Sequence, residues 1–66
     1  MINNHIIEND DHYRRLSSLL VYTPLNPVER VLFLSEFESF YCLLPYARYE
    51  RLITAAIVVA EEYANV

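Results

Sequence analysis

Five side chains carry chemistry that metal sites and nucleophilic catalysis use: His5, Asp10, Asp11, His12 and Cys42. Two aspartates are too few oxygen ligands for an ordered hard-metal site, and zinc needs His and Cys at fixed spacing. The aspartates are better explained as helix-start residues. Cys42 lies in apolar sequence and is expected to be a small buried hydrophobe, not a nucleophile paired with His12. We therefore expect no catalytic residue, no metal and no cofactor, and we expect that the chain is not an enzyme.

A second group of candidate functional residues follows a corner at Pro45 and consists of Tyr46, Arg48, Tyr49 and Arg51. Tyrosine and arginine are enriched at the energetic centres of protein interfaces. The start of a helix beside another helix is also where a helix-turn-helix protein places its base-reading side chains. Tyr49 fits the core stripe of its helix as well, so packing accounts for part of the group. We predict that these four residues bind a partner.

The charge balance separates the possible kinds of partner. Nine acidic residues against five arginines, with no lysine, give a net charge of −4. This charge disfavours wide contact with phosphate backbones or anionic lipid, whereas arginine suits planar contacts at protein interfaces. The acidic cluster Glu29, Glu36 and Glu38 is expected to be a solvated face. The alternative is that it mimics phosphates and inhibits a protein that binds nucleic acid. We expect one protein partner, no nucleic acid and no membrane.

The absence of glycine determines the predicted fold class. Glycine is the usual residue in tight hairpin turns, so a β-meander is hard to build without it. Three prolines divide long apolar stretches into a few helices, and 55% of the residues are hydrophobic. A domain this small usually needs further stabilisation, and a single cysteine supplies no internal disulfide. We predict an all-α, compact three-helix bundle that forms a homodimer.

The predicted domain covers residues 9–66 and follows a polar arm over residues 1–8. The first helix is expected to be capped at residue 9 or 10 and to run to about residue 22. Asp10–Arg14 and Asp11–Arg15 are expected to form pairs of opposite charge four residues apart. The apolar stripe of this helix is predicted to contain Tyr13, Leu16, Leu19 and Leu20.

The second helix is predicted over residues 27–43, with Asn26 and Glu29 forming a capping box. It has a second, narrower apolar face of Val28, Leu32 and Leu43, which predicts burial on two sides, one against its own domain and one against something else. Its broad face comprises Phe33, Leu34, Phe37, Phe40, Tyr41 and Leu44. The third helix is predicted over residues 46–63, with a core stripe of Tyr49, Leu52, Ile53, Ala56, Val59, Ala60 and Tyr63.

Charges on the third helix oppose its dipole, because Arg48 and Arg51 are near its start while Glu61 and Glu62 are near its end. Two antiparallel copies would bring Arg48 of one beside Glu62 of the other. This pattern predicts a two-fold homodimer. Solvated charges, or pairing within one chain, are the open alternative. The predicted dimer interface contains Arg48, Leu52, Ala55, Ala56, Val59, Glu62 and Tyr63.

The function that best fits these features is that of a small interaction protein. It would inhibit or regulate a partner protein by occluding it, as small phage-encoded or plasmid-encoded regulators do. The alternative is a small dimeric DNA-binding regulator that uses the start of the third helix. The start of the chain lacks a basic stretch followed by an apolar run, so no signal peptide is expected and a cytoplasmic location is predicted.

Overall fold

The computed structural model describes residues 6–65 and is all-helical over that range. Three helices follow one another: α1 (Asp11–Leu19), α2 (Pro27–Leu43) and α3 (Tyr46–Ala64). Short 3-10 turns at Ile7–Asn9 and Leu20–Tyr22 flank α1. Residues 1–5 of the predicted arm, and residue 66, lie outside the described residues. Residues 6–65 contain no strand, so the predicted all-α fold with three helices is confirmed.

The predicted helix caps are confirmed. Asp10 caps α1, its side chain accepting a hydrogen bond from the Tyr13 backbone N–H at 3.2 Å. Asn26 caps α2 by accepting from the Glu29 N–H at 2.8 Å, and the Glu29 carboxylate accepts from the Asn26 N–H at 2.9 Å. Pro27 occupies the first helical position, where its missing N–H costs no hydrogen bond. These local signals explain why α1 and α2 begin where they do.

The core forms mainly between α1 and α3, the helix pair in most extensive contact. These two helices run in the same direction, because Asp10 meets Tyr46 and Tyr49 at the start of α3 while Arg15 reaches Glu61 near its end. All four residues of the predicted α1 stripe are buried, as expected. The remaining buried core residues are Phe37, Tyr49, Ile53, Ile57 and Ala60.

Aromatic rings line the core side of α2, and one of them contacts α3. The Phe37 ring lies 5.3 Å from that of Phe33 and 5.4 Å from that of Phe40. The Tyr41 ring meets the buried Tyr49 ring of α3 edge to face at 5.0 Å. The predicted broad face of α2 therefore packs against the core. The predicted second face does not, since Val28, Leu32 and Leu43 remain exposed in the single chain.

Two predictions of burial are wrong. Leu52, Val59 and Tyr63 of the predicted α3 stripe are exposed, whereas Ile57 is buried. The buried face of α3 is turned toward Ile57 because α1 packs on that side of the helix. Cys42 is exposed because it points away from the core side of α2 that Phe37 defines.

Both predicted pairs of opposite charge within α1 are also wrong. The Arg14 guanidinium lies 3.3 Å from the Asp11 carboxylate, three residues earlier in the chain. The Arg15 Nε donates to Glu61 of α3 at 3.0 Å, and Nη2 of the same guanidinium reaches the same oxygen. Asp10 is turned toward α3. Arg15 and Asp10 thus take tertiary partners on α3, whereas Arg14 pairs locally with Asp11.

The helices form a body that is longer than it is wide, with extents of 44 × 22 × 16 Å. Over residues 6–65, no helix has both the length and the apolar character that crossing a membrane requires. The elongated outline leaves one side of α2 and one side of α3 without a neighbouring element.

Candidate protein-interaction surfaces

Asp10 is the centre of a cluster of tyrosines. Its carboxylate accepts hydrogen bonds from the Tyr46 hydroxyl at 2.7 Å and from the Tyr49 hydroxyl at 3.0 Å. The same carboxylate caps α1, so one side chain fixes the start of α1 to the start of α3. The Tyr13 hydroxyl donates to Glu38 of α2 at 2.7 Å and ties α2 to the same end. The cluster is therefore a polar clamp at one end of the bundle.

The hydrogen bonds of the cluster shift the pKa values of its members. Burial alone would raise the pKa of Asp10, but the hydroxyls of Tyr46 and Tyr49 and the Tyr13 N–H stabilise the carboxylate and lower its pKa overall. The Tyr46 hydroxyl donates to a carboxylate and is partly desolvated, which raises its pKa to about 12. Burial, together with the bond to Glu38, raises the pKa of Tyr13 to about 12. Burial and the bond to Asp10 also raise the pKa of Tyr49. The protonated phenols and ionised carboxylate are the forms that fit this geometry.

An open groove beside the clamp brings His12 and Cys42 to one wall. The His12 Nδ1 lies 3.5 Å from the Tyr46 hydroxyl and 3.8 Å from the Asp10 carboxylate, and its Nε2 lies 3.9 Å from Glu50. An activated cysteine needs a base within hydrogen-bonding reach. Both ring nitrogens of His12 face groups other than the thiol, so the groove does not pair these two residues as a nucleophile and a base.

The four predicted partner-binding residues do not share one surface. Tyr46 and Tyr49 are bonded to Asp10 on the α1 side, and Tyr49 is fully buried. The prediction for Tyr49 is therefore corrected, because a core ring cannot contact a partner. Arg48 and Arg51 are exposed on the outer side of α3. The hydroxyls of Tyr46 and Tyr49, which would contact bases in a DNA-binding protein, already donate to Asp10.

The predicted dimer residues do lie together on the outer side of α3. At about 100° of rotation per residue they cover one continuous strip. Its apolar members Leu52, Val59 and Tyr63 retain between 41% and 55% of their exposure. Ala55 is exposed between them, and Ala56 is half-buried at the edge of the strip. We call this set, with Arg48 and Glu62 at its ends, the α3 strip.

An apolar groove of about 300 Å³ borders the α3 strip. It lies where α3 meets the start of α2 and the connection after α1. Val59 and Tyr63 belong to both the groove and the strip, and Ala56 lies at the shared edge. The groove is further lined by Leu20, Leu25 and Phe33. A side chain placed over the strip would thus find a concave apolar wall beside it.

The side of α2 that faces away from the core is the second uncovered surface. It contains no charged residue along the whole helix, and its four large aliphatic residues are 60% to 80% exposed. Sequence reasoning assigned Val28, Leu32 and Leu43 to this side but missed the small residues between them. The outer face of α2 consists of Val28, Val31, Leu32, Ser35, Ser39, Cys42 and Leu43.

No family model, no curated protein and no solved structure matches the chain significantly. Among residues 6–65, no three His, Cys, Asp or Glu side chains come together as metal ligands. The two uncovered helical surfaces are the features on which a function can be argued.

Proposed function

We propose that the chain is a non-enzymatic protein-interaction module. Its α3 strip pairs with a second copy, and its remaining uncovered surface binds a partner protein and occludes it. The continuous α3 strip, with apolar residues at its centre and opposite charges at its ends, is the observation that carries this proposal.

The apolar surface that the single chain leaves exposed is the first observation that supports the proposal. A chain of 66 residues has little core to spare, yet it leaves large aliphatic side chains exposed on two helices. Contiguous apolar patches of this kind usually mark interaction sites in small soluble proteins. The only cysteine cannot form an internal disulfide. A second subunit is therefore the stabiliser that the exposed surface favours.

The placement of charge supports an antiparallel pairing. Arg48 and Glu62 are fourteen positions apart on α3, or roughly 21 Å along the helix. Antiparallel copies that cross at Ala55 bring each Arg48 beside a Glu62 of the other copy. A parallel pair would instead bring like charges together. Glu61 already has a partner in Arg15, so Glu62 is the acidic residue left to serve the dimer.

The same pairing places apolar side chains against one another. With the crossing between Ala55 and Ala56, Leu52 of each copy comes beside Val59 of the other, at the mouth of the apolar groove. Alanine at the crossing allows the two helix backbones to approach closely. Such an interface buries the exposed leucine, valine and tyrosine that the single chain leaves in water.

Charge reversal on α3 tests the pairing. We expect Arg48→Glu to weaken the dimer roughly five- to thirtyfold, because two attractive pairs become two repulsive ones. Adding Glu62→Arg to the same chain should restore the affinity. Dissociation constants from sedimentation equilibrium give the readout, and circular dichroism verifies the helix content of each variant.

Arg14→Glu is the matched control, because Arg14 is an exposed arginine on α1, away from the α3 strip. It should leave the dissociation constant within about twofold. A monomeric wild-type chain, or a double variant no better than Arg48→Glu, would contradict the pairing.

A further inference from the structure

The outer face of α2 has the residue spacing of a helix-pairing seam. Val28, Leu32, Ser35, Ser39 and Cys42 are separated by four, three, four and three residues. Residues at this spacing share one face of a helix, as the seam positions of a heptad do, and here the apolar residues at the ends of the stripe flank two serines at its middle. In α2 the stripe is roughly 21 Å long and points away from the chain's own core.

The middle of the seam is narrow. Ser35, Ser39 and Cys42 are small, whereas the aliphatic residues cluster toward the two ends of α2. Small residues let a second helix approach closely and leave room for its larger side chains. The surface therefore fits a partner helix with large apolar residues at its own seam positions.

The borders of the seam are acidic. Glu29 and Glu36 share one flank and Glu38 lies on the other. None of the five arginines lies on these flanks, since Arg30 is on the core side of α2 and the others belong to α1 and α3. An occupant with lysine or arginine beside its apolar stripe would complement this charge.

We infer that the outer face of α2 is the docking surface for a basic amphipathic helix of another protein. This inference rests on the proposed function, because it states the chemistry of the partner. A second copy fits less well, since two paired α2 helices would bring six carboxylates together without a cation on the flanks. An anionic lipid surface is disfavoured by the same three carboxylates.

A synthetic peptide can stand in for the partner helix. It is about three heptads long, with leucine at its seam positions and lysine at the flanking positions; its twin has glutamate in place of lysine. We expect the lysine peptide to bind and the glutamate peptide to bind at least about tenfold more weakly. Fluorescence anisotropy of labelled peptide measures the affinity.

Cys42 reports where the peptide sits, because it is the only cysteine and lies in the seam. Bound peptide should slow alkylation of the thiol several-fold, while the glutamate twin should leave the rate unchanged. Unprotected Cys42 under saturating lysine peptide would overturn the inference.

Variants in the seam and on α3 distinguish binding at the seam from general electrostatic attraction to an acidic protein. Leu32→Lys and Glu36→Lys should each weaken peptide binding by roughly five- to tenfold or more. Glu50→Lys makes the same charge change as Glu36→Lys, but on α3. It should change the affinity for the peptide by less than about twofold. Equal losses in all three variants would mean diffuse electrostatic attraction and would overturn the inference.

Sedimentation of Leu32→Lys distinguishes this inference from the α3 pairing. If the outer face of α2 binds a different protein, this variant should self-associate as the wild type does. Loss of self-association would assign the face to a second copy and overturn the inference, whereas failure of the charge reversal at Arg48 bears on the proposed dimer alone.

Discussion

Asp10 has two structural roles at once, because its carboxylate caps α1 and accepts hydrogen bonds from two tyrosines of α3. Sequence reasoning found the first role, which depends only on neighbours in the chain. It missed the second, which requires the starts of α1 and α3 to lie side by side. The sequence signal for this second role is the pair Tyr46 and Tyr49 at a helix start, which the sequence analysis assigns to a partner-binding site. A buried tyrosine needs an acceptor for its hydroxyl, and Asp10 is that acceptor.

Replacing Asp10 by asparagine tests the second role separately from the first. Asparagine is as good a helix cap as aspartate, but its amide oxygen is a weaker acceptor for the two hydroxyls. We expect Asp10→Asn to lower the free energy of unfolding by about 1–3 kcal/mol. Urea denaturation followed by circular dichroism measures the change.

Asp11→Asn is the control for this prediction, since Asp11 is exposed and forms its ion pair with Arg14 of the same helix. It should change the free energy of unfolding by less than about 0.5 kcal/mol. Equal effects at the two neighbouring positions would show that the clamp adds nothing beyond the cap.

The lowered pKa of Asp10 sets the direction of a pH effect. A carboxylate whose pKa is lower in the folded chain contributes stability above its ordinary value, 3.8, and loses it as the pH falls through the folded value. The difference in unfolding free energy between wild type and Asp10→Asn should therefore be constant above about pH 5 and shrink below about pH 4. Urea titrations at several pH values measure it. A difference that stays constant as the pH falls through the acidic range would contradict the assignment of the effect to the ionised carboxylate.

Helix boundaries were predictable from sequence because the caps are local. Asn26, Pro27 and Glu29 determine the start of α2 without help from the rest of the fold. Which face of α3 is buried was less predictable. Its apolar residues extend over more than half of the helix circumference, so periodicity alone allows several rotations. The position of α1 decides among them by covering Ile57 and leaving Val59 in water.

The capping box of α2 provides a prediction at the scale of one element. Asn26→Ala removes the acceptor for the Glu29 N–H and should lower the free energy of unfolding by about 1 kcal/mol. Differential scanning calorimetry of wild type and variant measures the shift in melting temperature. Glu29→Gln keeps a side-chain acceptor at the third helical position, so it should cost only a fraction of this amount. A loss as large as that of Asn26→Ala would mean that the charge, and not the hydrogen-bonded box, stabilises the helix start.

For the whole molecule, the sequence predicts that the chain leaves apolar surface uncovered and places part of it at Val28, Leu32 and Leu43 of α2. The second side of α2 is expected to touch something other than its own domain, and the aromatic side alone is covered within the chain. Composition fixes how much apolar surface a chain has, whereas the packing angle and order of the helices fix which part stays outside. The two uncovered surfaces are on different helices, so the proposed second copy and the proposed partner protein would not compete for one face.

Salt should have little effect on the proposed dimer. Its centre is apolar, and each exposed ion pair at its ends contributes no more than about 1 kcal/mol. Raising sodium chloride from about 0.05 M to 0.5 M should therefore increase the dissociation constant by no more than about tenfold, as measured by sedimentation equilibrium. A hundredfold increase would contradict an interface held mainly by Leu52, Val59 and Tyr63.

The parallel contact between α1 and α3 has a consequence for the order in which the chain folds. The two helices that share most of the core are separated by all of α2, so the intervening chain must close into a loop before their contacts can form. The capping box and neighbouring phenylalanines of α2 involve residues close in the chain and can form early. We therefore expect closure of α1 onto α3 to limit the rate of folding, with the hydrogen bonds of Asp10 forming after the loop has closed.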